Sequence, residues 1–182
     1  MADHGDKSVS AEGLAAAAGR AAKKGGLPPV HLWNPPFCGD LDMEIRADGT
    51  WFHEGTPIGR PAMVRLFSTI LKREGDRFYL VTPVEKVGIR VEDAPFVATD
   101  AEIGPDRIAF TTNVGDRVDA DADHPITVRG DADAPRPYVH VRAGLEALID
   151  RKTFYRLADA AKTGPDGRAG VRSAGQFFPL EP

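Results

Sequence analysis

The 182-residue chain is 42% hydrophobic and 27% charged, with a formal net charge of −4 and a pI near 5.7. That is ordinary globular composition, enough for one domain or two small ones, and without a basic patch it argues against a duplex nucleic-acid partner. The single cysteine, Cys38, excludes an internal disulfide and a cysteine zinc cluster, and no run reaches the roughly 18 apolar residues of a membrane span.

Charge is spread evenly, with 13 acidic and 12 basic side chains in residues 1 to 96 and 14 and 11 in residues 97 to 182. Asp3 and Asp6 interrupt a start that has no apolar core of signal-peptide length, so a cytoplasmic location is expected. Cys38, between Phe37 and Gly39, reads as a small apolar filler rather than a nucleophile.

Residues 8 to 24 form an alanine-rich helical stretch, with Ser10 as N-cap, Glu12 in the first turn and Lys23 and Lys24 in the last. Gly25 and Gly26 end it, and the prolines of LPPVHLWNPP impose an extended crossing segment. From Gly39 the period becomes two: Leu41, Met43 and Ile45 share one face, and Asp40, Asp42, Glu44 and Arg46 the other. Asp48-Gly49 and Glu54-Gly55 are turn signals flanking a return strand over residues 50 to 53. The alternating acids lack the spacing and closing glutamate of a calcium loop.

Pro61 suits the first position of a helix whose stripe is Met63, Leu66, Phe67 and Ile70, continuing through Lys72 to a stop at Glu74-Gly75-Asp76. A strand over residues 77 to 81 follows. Strands are further predicted over 97–101, 107–112, 117–120, 126–129 and 138–142, then a hairpin turning at Ala143-Gly144, a helix from Asp150 and a strand over 168–173. Asp116, Asp119, Asp121 and Asp123 read as a solvated acidic connection rather than a metal site.

Ile58, Arg60, Arg65 and Leu66 recur 91 positions on as Ile149, Arg151, Arg156 and Leu157. The order hairpin, helix, strand recurs with them, which predicts an internal duplication. The expected fold class is α+β in two lobes: residues 1–26 an N-terminal helical arm, 27–96 an N-terminal α+β lobe, and 97–182 a C-terminal strand-rich lobe with one C-terminal helix. A cleft between two lobes is a preferred place for a ligand.

The segments GDLDMEI, DGTWFHEGTPI, LVTPVEK and VEDAPF, between Trp33 and Phe96, resemble a bacterial family of domains of unknown function, DUF1285. The resemblance implies a two-lobed α+β protein with an internal duplication and a C-terminal lobe superficially like a pleckstrin-homology barrel. It also implies a nucleotide-like ligand between the lobes and a role in signalling, and it brings no catalytic activity.

Pro83 cannot donate to a ladder, so the strand from Phe78 must break or become an edge there, which puts Glu85 and Lys86 on the exposed break and the stretch Thr82 to Lys86 at the mouth of the cleft. A nucleotide needs cations or free amides for phosphate and an aromatic face for its base. The candidate ligand-binding residues are therefore Arg60, Thr82, Glu85, Lys86 and Arg90, with Trp33, Trp51 and His53 for stacking. The helix opening at Gly59 has no capping side chain, unlike the one at Asp150, so phosphate is expected at the former.

No phosphate loop, dinucleotide fingerprint, nucleophile elbow or HExxH motif occurs, no metal or cofactor is expected, and the five histidines are scattered. The expectation is a non-enzymatic small-molecule sensor, possessing a protein partner in signalling. The alternatives are a protein-interaction scaffold through the pleckstrin-like lobe and a small hydrolase or transferase using Glu85, with Asp93 as a second possible base.

Overall fold

The computed structural model describes residues 9–22 and 25–182. Ser8, Lys23 and Lys24, assigned above to the ends of the first helix, lie outside the described residues. The chain divides into two compact units, Met1–Glu44 with Trp51–Arg90, and Ile45–Thr50 with Val91–Pro182.

In the N-terminal unit, α1 (Ala11–Ala22) starts where expected, because Ser10 Oγ accepts the Gly13 amide hydrogen at 3.1 Å. Its apolar face is small, burying Ala11, Leu14 and Ala18, and it packs on α2 (Pro61–Thr69). A short 3-10 turn at Val30–Leu32 follows the glycines. Strands β1 (Phe37–Ile45), β2 (Trp51–His53), β3 (Thr56–Pro57), β4 (Leu71–Glu74), β5 (Arg77–Val81) and β6 (Lys86–Val91) make one six-stranded sheet in the order β3-β2-β1-β6-β5-β4. The core holds Met43, Phe67, Ile70, Leu71 and Leu80, with Trp51 stacked on Phe67 at 6.1 Å between ring centroids.

The second helix is shorter than its stripe predicts. It ends at Thr69, and Leu71–Glu74 is a strand paired with β5 around Gly75-Asp76. Ile70 and Leu71, both buried, satisfy a helical and a pleated pattern alike, and the tight turn at Gly75-Asp76 decides for the hairpin. Cys38 is exposed, its thiol donating to the Pro36 carbonyl at 3.3 Å, so it fills no core.

In the C-terminal unit, β7 (Phe96–Ile103), β8 (Ile108–Thr112), β9 (Arg117–Asp119), β10 (Ile126–Asp131), β11 (Ala134–Arg142) and β12 (Leu145–Ile149) form a six-stranded sheet ordered β10-β11-β12-β7-β8-β9. Strand β11 begins four residues before the predicted 138, although it contains Pro135 and Pro137. Residues 134–137 pair with β10 alone, while the partners of β12 begin at Tyr138, so the missing amides face an unpaired side. The closing contact is the parallel pairing of β12 with β7, Ala147 opposite Phe96, which no meander anticipates. After α3 (Arg151–Asp159), β13 (Lys162–Thr163), β14 (Ala169–Ser173) and β15 (Gln176–Pro179) form a three-stranded sheet.

The repeated layout is present: each unit has a hairpin, a helix and then a three-strand meander, β4-β5-β6 after α2 and β13-β14-β15 after α3. Both preceding hairpins turn on two residues with positive φ, Glu54-Gly55 and Ala143-Gly144. The helices themselves correspond 90 residues apart rather than 91. The first helical bonds run from Val64 to Arg60 and from Phe154 to Asp150, and the buried Phe67 answers Leu157. The four recurring identities are therefore one residue out of helical register.

Candidate functional site

A cavity of about 560 Å³ lies within the N-terminal unit. One wall is α1, through Ala17, Arg20 and Ala21. The Pro28-Pro29 segment with Trp33 makes the second, and the turn Thr82-Pro83-Val84 after β5 the third. Each wall has a local cause. Helix α1 presents alanines, leaving room above them. The prolines hold the crossing segment extended. Thr82 folds the turn on itself, its Oγ1 accepting the amides of Glu85 at 3.0 Å and Val84 at 3.3 Å, while its own amide donates to the Glu85 carbonyl at 2.8 Å. The Thr82 hydroxyl hydrogen remains able to donate.

The walls are tied together through one carboxylate. Lys72 Nζ donates to the Trp33 carbonyl at 3.2 Å and lies 3.5 Å from Glu74 Oε1. Lys86 Nζ, just beyond the Thr82 turn, donates to Glu74 Oε2 at 2.7 Å and sits 4.4 Å from the centroid of the Tyr79 ring. Glu74 thus holds one lysine for each of two walls, and the Lys86 hydrogen bond, with the lysine charges, lowers its carboxyl below the usual value. Arg20 is the charged residue of the lining; it is exposed and has no carboxylate partner among the described residues.

Of the eight candidate residues, Trp33 and Thr82 line this cavity. Glu85 and Lys86 flank it, but Lys86 is held by Glu74 and Tyr79 as part of the scaffold. Arg90 lies on β6, paired with Asp42 at 2.8 Å and Glu44 at 3.8 Å across the sheet. Trp51 is 1% exposed and belongs to the core, where stacking on Phe67 leaves no face for a base. His53 is half-buried on β2, 3.9 Å from Glu54.

Arg60, not Gly59, is the N-cap of α2, and no side chain caps it. The helix start still offers little to an anion, because Pro61 has no amide hydrogen and the amides of Met63 and Val64 both bond to the Arg60 carbonyl. Asp150 caps α3 as expected, accepting from the Thr153 amide at 2.8 Å. The sequence reading missed Arg20, Pro28, Pro29 and Val84. The signal was present as an alanine helix followed at once by a double glycine and a double proline, a joint that must fold back on its neighbours.

Asp93 and three of the four aspartates of the acidic connection are paired structurally. Asp93 accepts from the Tyr138 hydroxyl at 2.8 Å and pairs with Arg136 at 2.7 Å, so the second possible base is already occupied. Burial first, then this hydrogen bond, pushes the Tyr138 phenol up to about 12. In the acidic connection, Asp116 pairs with Arg142, Asp119 with Arg107 and Asp121 with His124. No group of metal-ligating side chains forms among the described residues, and none of the described helices is long and apolar enough to cross a membrane.

Residues 28–94 match the model of the DUF1285 N-terminal domain, a domain of unknown function, and residues 95–180 match the DUF1285 C-terminal domain. A crystal structure of a DUF1285 family protein from Silicibacter pomeroyi DSS-3 is 63% identical, with a TM-score of 0.84 over 93% of this chain and 94% of that one. Another, from Shewanella baltica OS155, is 28% identical, with a TM-score of 0.53 over 64% of this chain and 90% of that one. Among curated proteins there is no match.

Proposed function

Starting from the fact that the chain belongs to the DUF1285 family, we propose that it is a non-enzymatic small-molecule-binding module of bacterial signalling. Its ligand is nucleotide-like and occupies the cavity of the N-terminal unit. The observation that carries this reading is the convergence of Trp33, Thr82 and Arg20 on one cavity of about 560 Å³. That volume is within the usual span of small-molecule sites, roughly 300 to 1,000 Å³. Trp33 supplies an aromatic face, Thr82 a hydroxyl donor, and Arg20 a cation for an anionic group. The protein acts in the cytoplasm, and a protein partner reads the occupied state.

The test is thermal unfolding against nucleotides, dinucleotides and cyclic nucleotides. A ligand at 100 times its Kd stabilises by about 2.7 kcal/mol, and Arg20→Ala, a change on the exposed face of α1, should abolish the shift. No shift across the panel refutes the ligand class and turns attention to a protein partner on the exposed Leu27, Leu32, Phe37 and Val84. An equal shift in Arg20→Ala refutes the site.

A further inference from the structure

A second cavity, of about 480 Å³, lies in the C-terminal unit, between the β7–β8 hairpin, the end of α3 and the three-stranded sheet. The sheet register explains its lining. Lys162 is opposite Gly170 and Arg172 opposite Phe177, and residues 170 and 172 of one strand share a face, so Lys162, Arg172 and Phe177 surround a position without a side chain.

The Phe177 ring is seated on two glycines. A Cβ at Gly164 would lie 2.2 Å from it, and one at Gly170 would lie 2.6 Å from its Cζ. The sheet is fastened beside the cavity by the Ile108 amide donating to Ser173 Oγ at 2.9 Å and the Ala174 amide donating to the Asp106 carbonyl at 3.0 Å. Ile103, Ile108 and Val171 complete an apolar lining. Neither Lys162 nor Arg172 has a carboxylate partner among the described residues; the Arg172 guanidinium lies 5.5 Å from the Phe177 centroid. Two uncompensated cations at an apolar, ring-lined cavity match an anion that carries an apolar body.

We propose that this cavity binds a small organic carboxylate with an aromatic or short aliphatic body. Arg172 takes the carboxylate, Lys162 adds the second positive charge, and Phe177 with the aliphatic lining covers the body. This site is separate from the one in the N-terminal unit and stands whether or not that one binds a nucleotide.

Titration calorimetry of the full chain with benzoate, hexanoate and inorganic phosphate tests it. Benzoate or hexanoate should bind, and Arg172→Gln and Lys162→Gln should each weaken binding about ten- to a hundredfold, as expected for loss of a charge-assisted hydrogen bond. Both residues are exposed, so the variants should keep the wild-type unfolding temperature, and Arg20→Ala should bind benzoate like wild type. Absence of binding up to about 10 mM, binding unchanged in Arg172→Gln, or phosphate binding as tightly as benzoate would each overturn the assignment. Lys162→Gln lowering stability without affecting benzoate would show that Lys162 only offsets the C-terminal dipole of α3.

Discussion

Replacing Glu74 by Gln keeps the shape of the side chain and removes the charge that holds Lys72 and Lys86. The amine distances are 3.5 and 2.7 Å. The lysine side chains are 21% and 16% exposed and that of Glu74 is 37% exposed, so this pair lies between a surface ion pair, worth up to about 1 kcal/mol, and a hydrogen bond to a charged group, about 1.5 to 3 kcal/mol. The expected loss is about 1 to 2 kcal/mol, or roughly 2 to 8 °C in Tm for a chain of this size.

The pH dependence identifies the cause. Glu74 has a folded-state pKa depressed below its ordinary 4.5, chiefly by the Lys86 hydrogen bond. Its contribution is therefore fully present above 4.5 and lost as pH falls through the lower folded value. Urea unfolding of wild type and Glu74→Gln should show a constant gap between pH 6 and 8, closing in acid. A gap that persists unchanged to pH 3 would refute the charge argument. Loosened walls should also weaken any ligand of the N-terminal cavity, since Trp33 and the Thr82 turn each lose an anchor.

Truncating Phe67 to Ala removes a fully buried ring from its stack on Trp51 and should destabilise the N-terminal unit by about 3 to 5 kcal/mol, measured by urea unfolding followed through tryptophan fluorescence. Asp150→Ala should cost about 1 kcal/mol through its lost bond to the Thr153 amide, whereas Arg60→Ala, at a helix start with no side-chain cap, should be near neutral in the same assay. Tyr138, pushed up to about 12, should show its phenolate only as pH approaches 12, read as the difference between the ultraviolet titrations of wild type and Tyr138→Phe. Because that pKa is raised, its contribution is complete below pH 10 and lost as pH rises toward 12, a slope that Tyr138→Phe should remove.

The period-two face of residues 40 to 46, the positive-φ turns at Glu54-Gly55 and Ala143-Gly144, the Ser10 and Asp150 caps and the break at Pro83 were all legible in the chain. So was the repeated order of hairpin and helix, because each signal resides in a few neighbouring residues whose backbone preferences act locally. The stretch from Ile70 to Glu74 shows where that ends: the same apolar residues fit the end of a helix or the start of a strand, and pairing with β5 selects the strand.

Only the tertiary structure decided which charges are spoken for. Lys86 and Arg90 look alike in sequence, yet one is held over a tyrosine by Glu74 and the other spans two acids on β1. Arg20, unremarked in an alanine helix, meets Trp33 and Thr82 in a cavity, and Arg172 meets Phe177 above a glycine. Strand register and helix packing bring such partners together across dozens of residues. Local preference carries no record of distance in space, so a pairing energy that depends on that distance appears only once the chain is folded.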